Sequence, residues 1–251
     1  MSSLKVVPHE PLSRFTPEGV RSSLNPPSRW RQESAWPVRL RRAKSAIAPE
    51  MYAPRVTARL RLSAEEQDEA FAALCGDDLT AIMEASKRLS GDPSTTRRLL
   101  RVLEDQNRPE VRQGILYALA WHDSLASWDL AVRVVADPAE APRVRGQAAE
   151  VLAYHFNKLW AGDARFEAGT AALLSALNDP SPEVRYCAVF ALGSTGHLPL
   201  LPALERMLSD DSPVPGWIGT VASCAAEQME WLRRAADRRA SRSPPYNEHG
   251  D

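Results

Sequence analysis

The chain has 251 residues, 44% hydrophobic and 25% charged, with a formal net charge of −1. These values suit a folded protein with a sizeable core, and a near-neutral total excludes a partner chosen by bulk charge alone. The three cysteines, Cys75, Cys187 and Cys224, are too scattered for a disulfide framework and read as small buried hydrophobes in a reducing compartment.

Residues 1–62 read as an extended basic arm. Eight of the 20 prolines fall within 1–54, and proline both removes a backbone donor and pushes its neighbour out of the helical region. Residues 1–61 carry 12 Lys and Arg against 4 Glu, a net of +8. Residues 62–232 carry 14 against 25, a net of −11. The final stretch, 233–251, carries +2 and reads as a flexible polar tail. Phe15, Trp30, Trp36 and Tyr52 punctuate the arm, and large aromatics on a basic arm need a surface to lie on. Arg29, Trp30, Arg31, Trp36 and Arg39 are therefore candidate partner contacts, with a solvated tail as the alternative. The opening residues lack a secretory h-region, and no apolar run is long enough to cross a bilayer. The expected location is the cytoplasm, without membrane contact.

Helical periodicity begins at Ser63. Ser63 and Glu66 have the spacing of a capping box, followed by Ala70, Phe71 and Leu74 at helical intervals, and Gly76 breaks the helix. Next come three gapless copies of one pattern, beginning Pro109-Glu110-Val111-Arg112, Pro142-Arg143-Val144-Arg145 and Pro182-Glu183-Val184-Arg185. Each continues with an apolar residue four after the Val and an apolar pair at seven and eight. Weaker copies lie near Leu79 and Val214. Other amphipathic helices are expected over roughly 94–105, 125–136, 163–177 and 198–208. Together these predict five helical hairpins, at 64–90, 94–122, 125–156, 163–196 and 198–232.

The pattern has physical reasons. Proline at the first helical position costs little, because that amide has no intrahelical partner. Glu110 and Glu183 favour the positive end of the helix dipole. Val111, Ile115, Ala118 and Leu119 share one face, and one hairpin cannot bury that face alone. The fold class expected is an all-α solenoid, with domains at 1–62, 63–232 and 233–251.

These residues resemble the HEAT-repeat family, specifically the short bacterial class named after phycobilisome-lyase subunits. Asn178–Gly193 carries the likeness most clearly, and it extends over about 64–232. The resemblance implies a right-handed superhelix whose second helices line a concave side. It also implies that Arg112, Arg145 and Arg185 each bond an Asp of an adjacent turn, with Asp105, Asp137 and Asp179 as candidates. The last copy departs from the pattern, since no Arg follows Val214.

Searching for chemistry gives little. Metal-ligand spacings, phosphate loops and nucleophile elbows are missing, so no cofactor, metal or catalytic residue is assigned. His122, His155 and His197 sit near the ends of second helices, where a histidine commonly bonds terminal carbonyls. With Val111, Val144 and Val184 facing the core, the residues two, six and ten positions on point elsewhere. They include Gln113, Tyr117, Trp121, Glu150, Tyr154, Tyr186 and Phe190. Five aromatics in that set read either as a recognition ridge or as packing between hairpins.

The functional expectation is a non-catalytic scaffold or adaptor holding a protein partner of basic or mixed surface, with an immunity or inhibitor protein as a special case. One alternative is a lyase- or chaperone-like subunit acting on a chromophore, by family resemblance alone. The other is a nucleic-acid-binding repeat protein, which the acidic body disfavours.

Overall fold

The computed structural model describes residues 61–216 and 219–240. Among the described residues there are ten α-helices and no strand, only a lone antiparallel bridge between Pro213 and Thr220. The first hairpin is α1 (Ala64–Leu74) and α2 (Leu79–Ser90), the second α3 (Thr96–Asp105) and α4 (Pro109–Ala120). The third is α5 (Trp128–Ala136) and α6 (Pro142–His155), the fourth α7 (Ala164–Ala176) and α8 (Pro182–Gly193). The fifth is α9 (Leu201–Arg206) and α10 (Val221–Ala240).

The second helices α2, α4, α6, α8 and α10 pack side by side in chain order, and each rests on the first helix of its own hairpin. This two-layer arrangement is an α-solenoid. Val111, Val144 and Val184 are fully buried, as are Ile115, Ala118, Ala148, Ala188 and Leu192. Small residues let the layers close up. A Cβ at Gly114 would drive into Ser86 Oγ and press on Leu74 and Ile82, so glycine is what allows α4 to lie this near the first hairpin.

Local chemistry explains where the helices begin. Ser63 and Glu66 form the capping box: the Glu66 amide donates to Ser63 Oγ and the Ser63 amide to Glu66 Oε2. The α4, α6 and α8 N-termini have no side-chain cap, and each opens on proline, which removes one orphan donor at the start. An aromatic chain ties the third hairpin to the fourth. Trp128 meets Phe156 edge-on at 5.0 Å, Phe156 meets Phe166 at 5.3 Å, and Trp128 Nε1 donates to the Arg165 carbonyl.

Two boundaries move from their expected places. Leu62 is buried, and its amide donates to Asp92 Oδ2, so the packed body already includes it. At the other end α10 runs to Ala240, eight residues past 232, because Ala235 continues the buried stripe of Val221, Cys224, Ala225 and Leu232.

Candidate partner-binding face

The arginines of the repeat lie between hairpins. Arg112 pairs with Glu140 and donates to the carbonyls of Leu103 and Gln106. Arg145 pairs with Asp179 and donates to the Val135 carbonyl. Arg185 pairs with Asp210 at 2.7 Å and donates to Asp179 and Pro180 carbonyls and Ser212 Oγ. Each guanidinium thus satisfies peptide carbonyls in its own hairpin's turn and gives its charge to the next hairpin's acid. Asp105 and Asp137 pair with none of these arginines, whereas the Asp179 carboxylate, the third candidate, pairs with Arg145 while its carbonyl accepts from Arg185. The physical reason is that carbonyls around the end of each first helix take the nearer donors, which turns the rest of the fork forward. Arg185 holds the Asp210 carboxyl down at about 2 through its hydrogen bonds.

Two histidines tie successive second helices. His122 Nε2 donates to the Leu89 carbonyl at 3.0 Å, and the His155 ring lies between two carbonyls, that of Val151 2.7 Å from Nδ1 and that of His122 2.8 Å from Nε2. Burial lowers both ring pKa values.

With the valines aligned, Gln113, Gly146 and Tyr186 share one register on α4, α6 and α8. Tyr117, Glu150 and Phe190 share the next, and Trp121, Tyr154 and Ser194 the last. The rings form a continuous row. Tyr117 meets Trp121 edge-on at 6.4 Å, Trp121 stacks on Tyr154 at 5.4 Å and 28°, and Tyr154 meets Phe190 edge-on at 6.4 Å. Exposure grades along it. Gln113, Tyr186, Tyr117 and Glu150 are buried, Tyr154 and Phe190 half-buried, and Trp121, capping α4, is 49% exposed. The face is therefore closed at the helix starts and open at their ends. Burial also raises the pKa of Tyr186, whose carbonyl accepts from Cys224 Sγ. The pair of Gln147 and Glu150 was not anticipated: Gln147 Nε2 donates to Glu150 Oε2 at 3.0 Å. Arg29, Trp30, Arg31, Trp36 and Arg39 lie outside the described residues.

No cluster of three or more His, Cys, Asp or Glu among the described residues could hold a metal ion, and no helix there is long and apolar enough to cross a membrane.

Residues 135–218 match the family model of HEAT repeats. That stretch spans α6 to α9 and contains two of the three Val-Arg copies. The match supports a HEAT-repeat protein. HEAT repeats are commonly protein-interaction scaffolds and are usually non-catalytic. Among curated proteins, none matches the chain.

Proposed function

We propose that the chain is a non-catalytic scaffold or adaptor that holds a protein partner against the faces of α4, α6 and α8. The observation that carries this reading is the ring row from Tyr117 to Phe190, which includes the exposed Trp121. A large aromatic left half in water on a rigid support suits an interface anchor, since Trp and Tyr concentrate binding energy. The excess of acids over 62–232 favours a partner of basic or mixed surface. The basic stretch 1–62, with Arg29, Trp30, Arg31, Trp36 and Arg39, is proposed as a second contact with the same partner. An immunity or inhibitor protein is one form such an adaptor takes. The finer likeness of Asn178–Gly193 to the phycobilisome-lyase-named class goes with this proposal, and with it a bacterial source and a cytoplasmic setting.

The test is affinity purification from the native cell with the natural chain and with Trp121→Ala. The reading expects a defined protein to be retained by the first and lost with the second, while both chains melt together. Retention of the same proteins by both would contradict it. Nucleic acid released by salt, in place of a protein, would move the assignment to the nucleic-acid-binding alternative.

A further inference from the structure

Resting on the partner-binding reading above, we propose that residues 34–60 of the chain itself lie along the face of α4, α6 and α8, so that a partner meets this segment and Trp121 as one surface. The starting point is a side of the second helices that no described helix covers. The residue two after the repeat Val looks to the next second helix, since a Cβ at Gly146 would meet Cys187 Sγ on α8. The residue three after it looks to the previous one, since a Cβ at Gly114 would meet Ser86 and Ile82 of α2. At 3.6 residues per turn, the residue six after the Val points between these two directions, away from the first helices. It is Tyr117 on α4 and Glu150 on α6. Among the described residues, α4 and α6 pack on the second helices before and after them and on first helices, and no helix packs on this remaining side. An open two-layer stack would leave it in water.

The side is nevertheless shielded. Tyr117 is 8% exposed and Glu150 5%, and residues 113–120 and 144–153 are buried without a break. Each run makes more than two turns and so passes through every side of its helix. This shielding belongs to the single chain, so the chain itself supplies it.

The place where the chain enters the packed body points to the supplier. Leu62 is buried, and its amide donates to Asp92 Oδ2 at 3.1 Å. The Asp92 amide donates to the Leu89 carbonyl, the same carbonyl that accepts from the His122 ring. His122 follows Trp121, so the segment before Leu62 leaves the body beside the C-terminal ends of α2 and α4, at one edge of the face. Packed helices lie about 8–10 Å apart, so about ten extended residues cross from α2 to α8. The segment 34–60 is longer than that. Its chemistry also matches. It carries six Lys and Arg against one Glu, facing the acidic 62–232, and Trp36, Leu40, Ile47 and Tyr52 supply apolar groups for Tyr117 and Phe190. The other end of the chain, 241–251, matches less well, with Arg242 against Glu248 and Asp251.

The test uses the dilute, purified full chain with photo-crosslinking p-benzoylphenylalanine in place of Trp36 or of Tyr52, changes that keep an aromatic ring. After irradiation, adducts are mapped by digestion and mass spectrometry. The expected result, from at least one of the two positions, is an adduct within one chain to residues 113–121, 147–154 or 186–194. Adducts only elsewhere in the chain, adducts joining two chains, or none from either position overturn the proposal. Any of those results leaves the partner-binding face standing if Trp121→Ala still loses the co-purifying protein. Retention of that protein by Trp121→Ala is the separate failure of the face itself.

Discussion

Arg145 and Asp179 form the most enclosed ion pair among the described residues, with side chains 10% and 5% exposed. Removing one partner strands the other charge where water cannot reach it. Arg145→Ala should cost about 3–5 kcal/mol in denaturant unfolding. The half-exposed pair of Arg143 and Glu110 provides a contrast, and Arg143→Ala should cost no more than about 1 kcal/mol. A second prediction concerns the histidines. Burial disfavours charging His122 and His155 in the folded chain, so the unfolded chain binds protons more readily. Their contribution is fully present above about pH 6.5 and is lost as pH falls through the lowered values. The melting temperature should be flat above about pH 7 and decline as the pH falls below about 6.5. Asp210 adds a separate loss at lower pH, as its carboxylate is protonated on the way from about 4 toward its depressed value.

Helices were legible because their signals are local. The Ser63 capping box, the three prolines at first positions and the apolar spacing sit in consecutive residues, and every observed helix but α10, which runs on to Ala240, falls inside the expected segments. The ion-pair partners were not legible, because the turns differ in length. Glu140, Asp179 and Asp210 follow their arginines by 28, 34 and 25 residues, so no fixed offset points to them. Helix approach was likewise only half readable. The sequence shows a glycine at 114, whereas the contact with Ser86 that needs it depends on how α2 and α4 stack. Gly114→Ala should destabilise by about 1–3 kcal/mol despite alanine's better helix propensity, because the added methyl has no room. An unfolding curve for this one variant decides whether packing or propensity wins.

In the whole molecule, each hairpin hides its stripe against its neighbours, so stability is a sum of nearest-neighbour contacts. Hydrogen exchange should therefore be slowest in α4, α6 and α8, which are flanked on both sides, and fastest in α1 and in the end of α10 beyond Ala235. Uniform protection across all ten helices would contradict this. The internal repeat made the stack readable. The grading of the candidate face was not readable, since Tyr117 and Trp121 lie one helical turn apart and only what packs around them decides that the first is buried and the second open. The most direct test of the binding account is a photo-crosslinking residue placed at Trp121 and, as control, at the exposed Arg101 of α3. In native cells the account predicts a discrete protein adduct from position 121 and none from 101. No adduct from 121, or the same adducts from both, would contradict it.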